Sequence, residues 1–196
     1  MKQIKSLNLV LITLITIAAV LIAACAQPPE EEMAAARQAV GEAAGNPDVR
    51  QFAPRSLDEA QRLLSEMESA SENQEYDSAR SLAGEARNAA EKAVQDAANA
   101  KSSARSRAET AVAAAGAELE EARDALNDAR NVPGVRLDFQ AVRGELDTHA
   151  ETVATAETAI RNEQFADAEA GAESVRSSIS DVLRRISNAV RAASRK

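Results

Sequence analysis

Apolar residues recur along most of this chain at intervals of three and four, the spacing that lays one apolar stripe along an α-helix. Over 31–45 the stripe is Met33, Ala36, Val40 and Ala43, and Gly45-Asn46-Pro47 ends it. Over 55–72 it is Leu57, Ala60, Leu64 and Met67; Ser56, followed three residues later by Glu59, reads as a capping box at the start. From about Glu75 no proline interrupts the chain until Pro133, and one stripe continues through Ala79, Leu82, Ala86, Ala89, Ala93, Ala97, Ala100, Ala104, Ala108, Ala111, Ala115, Leu119, Ala122, Leu126 and Ala129. Between Ala86 and Leu119 its steps run 3, 4, 4, an eleven-residue period that predicts a helix nearly straight or slightly right-handed. At 1.5 Å per residue such a helix is about 80 Å long. Its weak points are Gly84, Ser102-Ser103 and Gly116. Two more stripes follow, Phe139 to Ile160 over 138–161 and Phe165 to Ala193 over 164–194.

The pattern occurs twice. Ala36–Arg50, ARQAVGEAAGNPDVR, returns as Ala122–Arg136, ARDALNDARNVPGVR, and Asn73–Ala79, NQEYDSA, as Asn162–Ala168, NEQFADA. The offset grows from 86 to 89 residues, so the second copy carries an insertion of about three residues between these two matches. Each copy reads as helix, proline loop, helix, tight turn, helix, with the third helix of one running into the first of the next. The expected fold is all-α and elongated: two spectrin-like three-helix bundles sharing one long central helix. The expected boundaries are 1–24 for a signal, 25–32 for a tether, 33–104 for the first helical unit and 105–196 for the second. Tyr76 and Phe165 stand at equivalent places and are read as aromatic plugs closing the bundle ends.

The N-terminus is different in kind. Lys2 and Lys5 precede an uncharged, largely apolar run from Leu7 to Ala24, and Ile22-Ala23-Ala24 leads into Cys25, the one cysteine of the chain. Positive, apolar and small-residue regions in that order describe a secretory signal. The run is also near the lower limit for an uncleaved membrane anchor, about 18 residues. The residues before Cys25 resemble the lipobox of bacterial lipoproteins. That resemblance implies lipidation of the Cys25 thiol, cleavage before it and acylation of the new amino group. It also implies a membrane partner through the N-terminal lipid; several acyl chains hold far more firmly than one. Ala26, rather than Asp, follows the cysteine, which resembles the outer-membrane sorting pattern of proteobacterial lipoproteins. The expected location is therefore the cell outer membrane, facing the periplasm.

Composition narrows the remaining choices. Loss of Lys2 and Lys5 leaves 21 basic residues against 31 acidic ones and moves the net charge from −8 to −10. An acidic chain repels phosphodiester backbones, so no nucleic-acid partner is expected. Only 2% of residues are aromatic and alanine dominates. Such a chain makes thin, closely packed helices rather than a wide core. One histidine and no free thiol leave no zinc site, and no metal or cofactor is expected.

Phe52–Ala93 resembles a family of alanine-rich helical domains of unknown function found in bacterial envelope lipoproteins, sometimes beside OmpA-like peptidoglycan-binding domains. Phe52-Ala53-Pro54, Leu57, Ala60, Tyr76, Ala79 and Ala83 carry the resemblance. The second copy lacks the Ala-Pro after its aromatic residue and departs from the pattern. The family has no assigned catalytic residues, so the resemblance implies none here.

No catalytic residues are expected from the chain itself. His149 is the one histidine and lies on an apolar stripe, where a structural role is the ordinary reading. Acidic residues mostly sit three or four positions from arginines, as solvated pairs do. From Arg184 to Lys196 there are Arg184, Arg185, Arg191, Arg195 and Lys196 and no acid, which suits a helix C-terminus. The Arg195-Lys196 end also resembles that of the Braun-type lipoprotein, which implies attachment of the Lys196 amine to peptidoglycan. The leading expectation is a non-enzymatic, lipid-anchored spacer, scaffold or adaptor of the cell envelope, with an envelope protein or peptidoglycan as partner. The alternative is an accessory, chaperone-like module holding a protein client in a helix groove. An uncovered apolar groove would favour the second, and a covered stripe the first.

Overall fold

The computed structural model describes residues 27–195. The expected signal over 1–24, Cys25 and Lys196 lie outside the described residues. Among the described residues every regular element is a helix: α1 (Glu30–Gly45), α2 (Pro47–Phe52), α3 (Pro54–Glu72), α4 (Tyr76–Arg130), α5 (Phe139–Arg161) and α6 (Phe165–Ala193). Pro29 is buried immediately before α1, and Glu30, Glu31 and Glu32 fill its first turn, where carboxylates complement the exposed amide dipoles. The stretch read as a tether thus becomes helical at Glu30. α4 is continuous over all 55 of its residues, through Gly84, Ser102-Ser103 and Gly116. Among the described residues no helix is long and apolar enough to cross a membrane.

The chain divides into two compact units, the first ending at Ala100 and the second beginning at Lys101, so the division falls four residues before the boundary expected from sequence. α4 supplies the third helix of one three-helix bundle and the first helix of the other. In the first unit, Met33, Ala36, Val40 and Ala43 of α1 and Leu57, Ala60, Leu63 and Met67 of α3 pack with Ala83, Ala86, Ala90, Ala93 and Ala97 of α4. Arg37 to Glu68 at 3.1 Å joins α1 to α3, and Arg80 to Glu32 at 3.2 Å joins α4 to α1. Each side chain in these pairs is about half exposed, so they mark register more than they add stability. In the second unit, Leu119, Ala122 and Leu126 of α4, Val142, Leu146 and Val153 of α5, and Val175, Ile179, Val182 and Ile186 of α6 are buried.

The eleven-residue period expected for the long helix is replaced by two seven-residue registers. The buried residues of α4 are Ala79, Ala83, Ala86, Ala90, Ala93 and Ala97, then Ala108, Val112, Ala115, Leu119, Ala122, Leu126 and Ala129. Each series alternates steps of four and three, as a left-handed pair of packed helices requires. One step of eleven, from Ala97 to Ala108, changes the register. Ala89 and Ala111, which the eleven-residue reading placed on the stripe, are half-buried instead.

The two copies share one turn and differ in one loop. α3 ends with Gln74 at φ 64°, and α5 ends with Glu163 at φ 61°. Glu75 N–H reaches the Ala70 carbonyl at 2.8 Å and Gln164 N–H reaches Ala159 at 2.8 Å, the six-residue closure of a Schellman motif. Between the first and second helices of each copy the structures part. Asn46 accepts from the Asp48 amide at 2.9 Å and so caps the short α2, with Pro47 at its first position; Val49 buries completely beneath it. The sequence pattern predicts a proline loop here, and the structure has a helix. In the second copy Val132 replaces Asn46 and Gly134, at φ 83°, replaces Asp48. Without the cap no helix forms before Asp138, which caps α5 by accepting from Ala141 N–H at 3.0 Å.

The expected capping box of α3 is absent. The helix begins at Pro54, so Ser56 is already inside it, and its hydroxyl donates to Asp96 of α4 at 2.6 Å; Glu59 pairs with Arg62 instead. Phe165 is buried and Tyr76 half-buried at the starts of α6 and α4. A side-chain-bearing residue in the left-handed region costs about 1–2 kcal/mol, more than the chain-entropy penalty of glycine. Gln74→Gly and Glu163→Gly are each expected to stabilise the protein by about 0.5–1 kcal/mol. Chemical denaturation of the variants measures this, and an unchanged or lowered midpoint would contradict the turn geometry.

Candidate functional site

The surface of both units is lined with ion pairs within and between helices. Arg62 bridges Glu59, at 2.6 Å, and Glu66 on α3. Hydrogen bonding from Arg62 holds the Glu59 carboxyl below its ordinary value. The Lys92 ammonium, 2.5 Å from Asp96, and then the Ser56 hydroxyl do the same for Asp96. These groups face solvent, and the shifts mark fixed surface pairs rather than a reactive centre. Among the described residues no group of three or more His, Cys, Asp or Glu side chains is placed to hold a metal ion.

His149 lies on the inner side of α5, half-buried, 89 residues after Ala60, which is fully buried in α3. Its Nε2 is buried without a hydrogen-bond partner. No carboxylate, serine or thiol is bonded to that nitrogen. The basic C-terminal segment is largely engaged along its own helix. Arg184 pairs with Asp181 at 2.6 Å, Arg185 with Glu145 of α5, and Arg191 bonds Asn188 at 2.6 Å. Arg195 is exposed.

Among the described residues one concavity is not apparent from the sequence. It lies in the second unit between the C-terminal part of α4 and the start of α5, with a volume of about 300 Å³. Arg123, Asn127 and Arg130 of α4 and Arg143 and Asp147 of α5 line it, above Leu126 and Leu146. Arg123 is held by Glu120 at 2.7 Å and by Asp147 at 3.5 Å. The Arg130 guanidinium stacks over the Phe139 ring, 5.5 Å from its centroid. Singly, these arginines look like solvated helix residues. Only the antiparallel return of α5 along α4 brings them around one space. A cleft along α3 and α4 in the first unit, lined by Arg55, Ser56, Glu59, Ala89 and Lys92, is smaller, about 210 Å³.

Residues 31–108 match a domain of unknown function (DUF4398). The matched domain takes in most of α1, all of α2 and α3, and α4 as far as Ala108. The arginine-lined cleft lies beyond it, on the second copy of the helical pattern. No curated protein and no solved structure matches the chain.

An unsatisfied buried nitrogen costs about 1–3 kcal/mol, and an apolar side chain of similar size removes that cost. His149→Leu is therefore expected to raise the unfolding free energy by about 1–2 kcal/mol. Urea unfolding of the pair measures the difference; a destabilised variant would mean that the imidazole nitrogen is bonded in solution.

Proposed function

We propose that the protein is a non-enzymatic helical spacer, scaffold or adaptor of a bacterial cell envelope, held to a membrane by fatty acyl chains on Cys25. The mature chain begins at Cys25 and faces the periplasm from the outer membrane. Its job is mechanical: each bundle presents a charged helical surface at a defined place, and partners are an envelope protein or peptidoglycan, the latter through the Lys196 amine.

One observation carries the choice between this reading and a client-holding groove. Among the described residues the single exposed large hydrophobic side chain is Val94, at 43% exposure. A groove that holds apolar segments of unfolded clients exposes a contiguous apolar face when empty. Here the stripes of the described helices are turned inward, and among the described residues no polar or charged residue is buried with them. The envelope address is supported by the order of Lys2, Lys5, the apolar run and Ile22-Ala23-Ala24-Cys25.

Two measurements on protein extracted from its native membranes test the reading together. Mass spectrometry is expected to find a mature chain starting at acylated Cys25, and Cys25→Ala to release the protein from the membrane or block its maturation. Equimolar protein is expected to leave the aggregation of a chemically unfolded client unchanged. An intact Met1 or an unmodified thiol would remove the anchor, and suppressed aggregation would favour client binding.

A further inference from the structure

We propose that the cleft between α4 and α5 in the second unit binds a phosphate group. The inference is independent of the anchoring and scaffold reading, since it rests on side chains of the second bundle alone. Three guanidinium groups, Arg123, Arg130 and Arg143, face one volume of about 300 Å³ against a single carboxylate, Asp147. Asp147 is already turned to Arg123 at 3.5 Å, so the lining keeps an excess of positive charge. In a chain of net charge −8 this is a local inversion of sign.

The arginines are held differently, and the difference matters. Glu120 and Asp147 fix Arg123, and Phe139 fixes Arg130 from one face, leaving the N–H edge of that planar group for hydrogen bonding. Arg143 makes no ion pair among the described residues. Guanidinium forks match the oxygens of carboxylate and phosphate. A carboxylate has two oxygens in one plane, which one or two arginines satisfy. Three arginines around a wide cleft suit a tetrahedral group with oxygens on several sides.

The duplicated unit supplies an internal control. Counting back 86 residues along the first helix of each copy, Asn127 and Arg130 correspond to Gly41 and Ala44. Counting back 89 along the second, where Leu146 corresponds to Leu57, Arg143 corresponds to Pro54 and Asp147 to Asp58. The bundle therefore forms without Asn127, Arg130 and Arg143. Packing requires none of them, and their convergence is particular to the second copy.

The test uses the full chain in neutral detergent at constant ionic strength, with phosphorus NMR and competition titrations. The probes are inorganic phosphate, for a free phosphate or phosphomonoester, and glycerophosphoglycerol, the soluble phosphodiester of an anionic lipid headgroup. Saturable binding of either supports the proposal, and which one binds tighter names the source. Arg143→Gln is expected to weaken binding about tenfold, and the Arg130→Gln/Arg143→Gln pair more, with unchanged helix content. Arg87→Gln, on α4 in the first unit, is expected to bind as the parent does. The proposal is overturned by absence of saturable binding of both probes, by undiminished binding in the Arg143 variant, or by acetate competing as well as phosphate.

Discussion

The structure rests on how closely α4 can approach its neighbours in the first unit. Every fully buried residue of α4 there is alanine, from Ala79 to Ala97, so beside the half-buried Leu82 this helix contributes only methyl groups to the seam with α1 and α3. The volume that fills the seam comes from the other side: Met33 and Val40 on α1, Leu57, Leu63 and Met67 on α3. Each alanine buries little area, about 0.8 kcal/mol for its methyl group. It also has the highest helix propensity, which helps one helix run unbroken for 55 residues. The second unit solves the same problem with another distribution. Its third helix buries Val175, Ile179, Val182 and Ile186 where α4 has Ala86, Ala90, Ala93 and Ala97. Each of those residues is worth about 1.5–3 kcal/mol on burial.

Duplication left the turns of the two bundles alike and let one loop diverge. The closure around Gln74 and Glu163 depends on backbone hydrogen bonds and survives a change of side chain. α2 is capped by the Asn46 side chain, and the second copy, with Val132 and Gly134 at the places of Asn46 and Asp48, has no such helix. The arginine-lined cleft belongs to the same divergent end of the second copy. There Pro54 gives way to Arg143, and α5 starts from its own aspartate cap. A stable packed frame thus carries sequence change at its helix ends without disturbing the seams.

The long elements were legible because alanine and leucine at three- and four-residue spacing specify a buried stripe whatever the partner. The exact stripe on α4 was not. Leu82 lies beside Ala83, Ala89 beside Ala90 and Ala111 beside Val112, so two adjacent faces are almost equally apolar, and neighbouring helices choose between them. α2 is too short to show a period, and its only signal was Asn-Pro, which also reads as a stop. Ser56 looked like a cap because its tertiary partner, Asp96, lies forty residues away. The cleft was hidden for the same reason: Arg123, Arg130 and Arg143 are placed together by the return of α5.

Among the described residues the surface is charged, and Val94 is the one large hydrophobic side chain exposed on it, because the stripes of the helices face inward. The most direct measurement exchanges one pair of equivalent core residues, Ala90→Ile and Ile179→Ala, in separate variants, and compares their unfolding free energies. The account predicts that both lose stability. The first loses about 1–3 kcal/mol by overpacking a seam already filled by side chains of α1 and α3, and the second about 2–5 kcal/mol by opening a cavity. An Ala90→Ile variant as stable as the parent, or more so, would show that the first seam has room to spare, and would contradict the close approach on which this description depends.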